Sequence, residues 1–310
     1  WAFFFPAIMF FLILSLKKLE YGILVIPKKG APTLYGISFE AAQLQRAYPS
    51  LRVAPLSPLD HILNHHIQKN KIIGIRSSSL PLNVFEAIRK KKNTWKHFDH
   101  RGLVSVKLPG EITRMKKAAR LTDIIFSRLI RSWKKFRTEQ DTARFILAQC
   151  VQEHIEPSFS PIIASGVRAA DPHHESVDLP LIRGFCVIDM GVRYQGYCSD
   201  MTRTIFLGTP NKKEITLYDR IKKIQEAATQ EVRAGVSTKI IDDSCRNRLG
   251  EEFNKQFIHG LGHGVGTHCD IGFKEPPMPV EQFAQMFTCT ALFLRPDAGA
   301  GTAGRHHLGH

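Results

Sequence analysis

Two aspartates have the residue type and setting for metal chemistry. Asp189 and Asp200 lie in the stretch Gly184 to Thr204, GFCVIDMGVRYQGYCSDMTRT, each ending or following a short apolar run, with Gly191 and Gly196 between them. Phe185 to Ile188 reads as a buried strand, Tyr194 to Cys198 as its return, and the glycines as the turn chemistry of a bent hairpin. Such a hairpin brings the two carboxylates together. Adjacent carboxylates repel and are costly to bury unless a cation lies between them, so the pair calls for a hard or borderline divalent metal. The competing reading makes both of them turn residues, as aspartate beside glycine commonly is.

A second stretch, Ile258 to Thr267, reads IHGLGHGVGT, with His259 and His263 among four glycines. Glycine at this density lets backbone approach a ligand closely, and imidazole is a common ligand for zinc, cobalt or manganese. With both stretches in view, the chain resembles the pita-bread metallopeptidases, in their aminopeptidase P and prolidase (Xaa-Pro dipeptidase) branch. The matching residues are PSFSPIIASGVRAADPHH at Pro157 to His174, VIDMG at Val187 to Gly191, GYCSDMTRT at Gly196 to Thr204, and HGLGHGVG at His259 to Gly266. They occur in the family's order and span roughly Glu111 to Thr290.

The resemblance implies an α+β pita-bread (creatinase/aminopeptidase-like) catalytic domain, with metal ligation by Asp189, Asp200 and His263. It implies substrate or transition-state contacts by His173 and His259, and in the intact family site two divalent ions (manganese, cobalt or zinc) sharing a bridging water. The activity implied is that of a metal-dependent exopeptidase hydrolysing Xaa-Pro bonds in short peptides with proline at the second position. A cytoplasmic location and homodimers go with it.

The end of the chain departs from the family's pattern. Where a histidine followed by glutamate is expected stand Asp270 and Ile271, with His268 displaced by two; Thr290 occupies the glutamate position of TxEPG, and RxED is replaced by Arg305-His306-His307-Leu308. Three of five expected ligands remain, so the chain is expected to hold one ion or none, with impaired activity. Either the end is altered, for example by a frame shift, or the chain is a degenerate relative. The glycine- and alanine-rich run AGAGTAG at Ala298 to Gly304, a poor strand, favours the first. The alternative functions are a catalytically inactive binding protein on the same fold and a metal-free creatinase-type hydrolase, against which the two aspartates speak.

The elements that must position these residues are legible in part. Leu108-Pro109-Gly110 breaks the chain, after which Ile112, Met115, Ala119, Ile124 and Leu129 fall near helical spacing. Thr138 with Asp141 resembles a capping box for a helix through Gln152, and Asn211 with Glu214 repeats the device before a helix ending near Gly235. The order helix, helix, hairpin, helix, helix, glycine-rich strand suits an α+β domain. Upstream, from Tyr21 to Trp95, the segments GILVIP, KIIGIR and LNVFEAIRKKK give the rhythm of a small α/β domain with no nucleotide fingerprint. The expected division is 1–108, a truncated creatinase-type N-terminal α/β domain, and 109–310, a pita-bread metallopeptidase domain incomplete at its C-terminal end.

Composition narrows the alternatives. A length of 310 residues suits about two domains. The net charge of +15 and the run Arg89 to Lys92 could favour nucleic acid, but without interleaved aromatics or a recognised module they read as a solvated helix end, and no specific nucleic acid is expected. Trp1 to Leu14, WAFFFPAIMFFLIL, is shorter than the roughly 20 residues a spanning helix needs and follows no basic region, so a buried element is expected and no membrane partner. A first residue of Trp, not Met, reads as a fragment or an imperfectly delimited reading frame. The six cysteines show no CxxC spacing and read as core thiols of a reducing compartment.

Overall fold

The computed structural model describes residues 10–13, 22–26, 31–66, 72–75, 86, 94–97, 106–233, 235–257 and 260–267. The chain forms two compact units, Trp1–His100 and Arg101–His310.

In the first unit, β1 (Phe10–Ile13), β2 (Gly22–Ile26), β3 (Thr33–Gly36) and β4 (Arg52–Pro55) form one sheet in that order. The β3–β4 pair is parallel, which requires a crossover, and α1 (Ala41–Ala47) supplies it by burying Leu44 with Leu34. After α2 (Leu59–His66) come the parallel strands β5 (Ile72–Ile75) and β6 (Thr94–His97). GILVIP and KIIGIR thus contain β2 and β5, with β3, α1, β4 and α2 between them. Within the apolar stretch at the start, Phe10–Ile13 is strand and the remainder lies outside the described residues, as does Arg89 to Lys92. Among the described residues no helix is long and apolar enough to cross a membrane.

The second unit opens with α3 (Pro109–Arg131), whose start is fixed by Pro109 in the first turn and by the Leu108 N–H donating to Glu111 Oε2 at 2.6 Å. Its buried face is Ala118, Leu121, Thr122, Ile125 and Leu129. Of the positions expected to form that face only Leu129 is fully buried; Ala119 and Ile124 are exposed, because the true stripe follows steps of three and four from Ala118. α4 (Glu139–Gln152) begins with the expected box: the Asp141 N–H donates to Thr138 Oγ1 and the Thr138 N–H to Asp141 Oδ2, both at 3.1 Å. Asn211 and Glu214 cap α5 (Lys212–Glu231) in the same way, and α5 ends four residues before Gly235. α6 (Thr238–Asn254) packs on α5 through Ile224, Ala228, Ile241, Cys245, Leu249 and Phe253.

Between the helix pairs lie β7 (Glu156–Pro157), β8 (Ile162–Ser165), β9 (Gly184–Met190), β10 (Val192–Tyr194), β11 (Tyr197–Cys198) and β12 (Met201–Leu207). They make two antiparallel sheets, β12-β9-β8 and β11-β10-β7. Ile125, Leu129, Ile146, Ile163, Ile188, Met190 and Val192 close a core between α3, α4 and these strands. The return of β9 is β12, not Tyr194 to Cys198: all seven residues of β12 pair with β9, from Met201 opposite Met190 to Leu207 opposite Gly184. Tyr194 to Cys198 belongs to a separate small hairpin, β10 and β11, turning at Gln195 (φ 47°) and Gly196 (φ 87°). Residues 260–267, expected as a glycine-rich strand, are irregular. Glycine at alternate positions leaves few side chains to pair across a ladder.

Gly191 makes the junction of the two hairpins possible. A Cβ there would lie 2.1 Å from the Ser199 carbonyl oxygen and 3.2 Å from Asp200 Cα, both backbone atoms that cannot rotate away. Gly191→Ala should therefore cost about 1–3 kcal/mol or more in urea unfolding. An unchanged midpoint would mean that the close pass is not required.

Candidate metal centre

Asp189 sits one residue before the end of β9 and Asp200 immediately before β12. Thr202 is the cross-strand partner of Asp189, so Asp200, two residues earlier, falls on the same face as its diagonal neighbour. Buried polar contacts hold this corner. Ser199 Oγ lies 2.6 Å from Thr122 Oγ1 and accepts the Val192 N–H at 3.0 Å, while the Ser199 carbonyl accepts Ser158 Oγ at 2.8 Å. Thr202 Oγ1 donates to Asp189 Oδ1 at 2.8 Å.

The imidazole arrives from the glycine-rich segment. His263 Nε2 lies 3.5 Å from Asp200 Oδ2, with the Asp200 side chain 9% exposed and that of His263 36%. The segment is docked at both ends. The Cys198 N–H donates to the Gly266 carbonyl at 2.7 Å and Arg193 Nη1 to the Thr267 carbonyl at 2.6 Å; from α6, Asp242 Oδ1 accepts the Leu261 N–H at 2.8 Å. Arg246, paired to Asp242 at 2.7 Å, donates to the Phe257 carbonyl at 3.0 Å.

Charge is poorly compensated at this point. Burial, then the charge of Asp189, then Cys198 push the Asp200 carboxyl up to about 7. Asp189 is raised too: burial outweighs the Thr202 hydroxyl, the nearby His263 and the Met190 N–H, which favour its charged form. Two buried carboxylates with an imidazole beside one of them are the donor types a divalent cation takes. The set is not closed, since among the described residues no three His, Cys, Asp or Glu side chains gather tightly enough to hold an ion by themselves.

Of the other expected site residues, only His173 is among those described. His173 is exposed and its N–H donates to Asp171 Oδ1 at 3.0 Å, whereas His174 is the sequestered imidazole, with Nε2 at 2.7 Å from Glu139 Oε2. His259, Asp270, Thr290 and His307 lie outside the described residues. Sequence reading missed Thr202, Ser199 and the Asp242–Arg246 pair. Only Thr202 carried a signal, the alternation of DMTRT that sets it on the face of Asp200. Cys150, Cys186, Cys198 and Cys245 are buried thiols outside any disulfide.

Metallopeptidase family M24 matches residues 113–287 of the chain. The Xaa-Pro dipeptidase of Pyrococcus horikoshii is 36% identical over 203 residues, 63% of this chain and 58% of that protein. The Xaa-Pro dipeptidase of Pyrococcus furiosus is 30% identical over 243 residues, 76% and 68% of the two chains. Among solved structures, the prolidase from Pyrococcus horikoshii superposes with a TM-score of 0.73 at 30% identity, covering 89% of this chain and 79% of that one. The chain thus spans a little under three fifths of the first of these relatives.

The Asp200 environment sets a pH dependence of known sign. Its acid constant moves from an ordinary 3.8 to about 7, so across that window the metal-free folded protein keeps a proton that the unfolded chain releases. Stability from this group is therefore lost as pH rises from about 4 to 7, at about 1.4 kcal/mol per tenfold change in the constant. Asp200→Asn should melt like the parent near pH 4 and above it at pH 8, and manganese should stabilise only the parent. Parallel melting curves across the range would contradict this account of the corner.

Proposed function

The chain belongs to metallopeptidase family M24, in its aminopeptidase P and prolidase branch with the pita-bread fold, and on that premise we propose that residues 109–310 form a divalent-metal site for hydrolysis of Xaa-Pro bonds. The observation that supports this most is the largely buried, poorly compensated carboxylate pair Asp189 and Asp200 with His263 3.5 Å from the second. These three would supply donors to manganese, cobalt or zinc, drawing closer together on loading than they stand in the metal-free protein. When bound, such an ion acidifies a water and stabilises a developing oxyanion. Asp200 would give up its proton on loading. Thr202 keeps the Asp189 carboxylate turned toward the shared face. His173 and His259 would orient the peptide, whose bond before proline lacks an N–H. The expected substrates are short peptides with proline second, in a reducing cytoplasm that suits the buried thiols. Residues 1–108 would mediate a homodimer.

Activity as written should be low, because Thr290 and His307 stand where the family carries a base and a bridging carboxylate. General-base catalysis is worth about 10²- to 10⁴-fold. Ala-Pro hydrolysis with manganese should be slow or undetectable for this chain and little improved by Thr290→Glu. Grafting the terminal segment of the Pyrococcus horikoshii relative over residues 287–310 should raise it by orders of magnitude, with Ala-Ala cleaved less well. Rapid metal-dependent hydrolysis by the unaltered chain would refute the impairment. A folded, metal-loaded graft that ignores Ala-Pro would refute the peptidase reading.

A further inference from the structure

Glu139, in the first turn of α4, is fully buried, although the helix is already capped by Thr138 and Asp141. A carboxylate in that position is costly unless every lone pair finds a donor. Its Oε1 accepts the Ser165 N–H, Ser165 Oγ and Arg168 Nε, each at 2.8 Å; its Oε2 accepts His174 Nε2 at 2.7 Å and the Val177 N–H at 3.4 Å. Burial opposes ionisation, but His174, Arg168 and Ser165 outweigh it and hold the group below the usual carboxylate range.

All five donors come from one stretch, residues 165–177, which leaves β8 and carries His173. Secondary contacts tighten it. Arg168 Nη2 donates to the Pro180 carbonyl at 2.8 Å, the Ile182 N–H donates to Ser165 Oγ at 3.0 Å, and the Gln140 N–H donates to the Val177 carbonyl at 3.1 Å. Ser176 Oγ then accepts the Ile163 N–H at 2.8 Å and donates to the Pro161 carbonyl at 3.2 Å, so the stretch runs back along the outer edge of β8. On its inner edge β8 pairs with β9, Ile162 opposite Asp189. The path of the segment is thus set one strand away from the carboxylate pair.

We propose that Glu139 is a positioning residue, fixing His174 and through it the 165–177 segment so that the adjacent His173 is presented to a peptide at the Asp189, Asp200 and His263 centre. This rests on the peptidase reading of that centre. Glu139→Gln keeps the shape but sets an amide N–H₂ against donors, whereas Glu139→Asp keeps the charge. Glu226→Gln, on an exposed ion pair with Lys222, serves as control.

The test follows the histidine ring resonances of the ¹⁵N-labelled full chain by NMR, with Ala-Pro titrated into the manganese-free protein below the melting point of every variant. Glu139→Gln should shift the rings of both His174 and His173 and weaken Ala-Pro binding about 10-fold or more. Glu139→Asp should recover part of the loss, and the control should match the parent. A lowered melting temperature with His173 unmoved and Ala-Pro affinity within twofold would make Glu139 merely structural and overturn the proposal. If the parent itself fails to bind Ala-Pro, the peptidase reading falls, and the His173 ring alone decides: unmoved, it refutes positioning; moved, it supports it. Should Glu139→Gln not fold, His174→Gln is held to the same two readouts, with the same outcomes.

Discussion

Two like charges held on one face of an antiparallel strand pair set the terms for the second unit. At the 4–8 Å typical of such neighbours, unit charges repel by about 2–4 kcal/mol at an effective dielectric of 20, and burial adds to the cost. The fold holds them together with backbone rather than with long side chains. Gly191 passes against the Ser199 carbonyl, Ser199 is tied to Thr122, Val192 and Ser158, and Asp189 is tied to Thr202. Strand pairing and the core of Ile125, Leu129, Ile163 and Ile188 supply the stability that offsets this local strain. On the proposed reading, a corner built this way is unfavourable by itself and is relieved by a cation.

Two irregular segments that carry histidines are managed alike. Each is pinned by charged side chains on a helix: Glu139 of α4 receives the 165–177 segment, and the Asp242–Arg246 pair of α6 takes the backbone of Phe257 and Leu261. Irregular backbone gives imidazoles freedom of direction, and helix-borne anchors restore the precision that a binding site needs. On the proposed reading the strand pair contributes carboxylates and the loops contribute imidazoles, so misplacing either set of anchors would separate the donor types.

What the sequence disclosed follows from how local each signal is. The boxes at Thr138 and Asn211 are three-residue devices and stand in the structure as read. Asp189 and Asp200 were readable as a pair, yet the strand joining them was not: Tyr194 to Cys198 and Met201 to Leu207 both carry strand-forming residues, and only pairing across seven positions selects the latter. The face of α3 slipped because Ala119 and Ile124 are apolar residues at the margin of the true stripe. Glu139 was invisible, since a glutamate in a first helical turn is ordinary and its five donors lie far along the chain. His174 drew less notice than His173, although Glu139 holds it firmly; a neighbour's carboxylate distant in sequence leaves no trace in spacing.

The account stands or falls on where a divalent ion binds. A crystal soaked in manganese, measured at a wavelength where the ion scatters anomalously, should show a peak within about 2.0–2.6 Å of carboxylate oxygens from both Asp189 and Asp200 and of His263 Nε2. A peak elsewhere, or none at saturating manganese in a crystal with this corner intact, would contradict the assignment of Asp189, Asp200 and His263 as one metal centre.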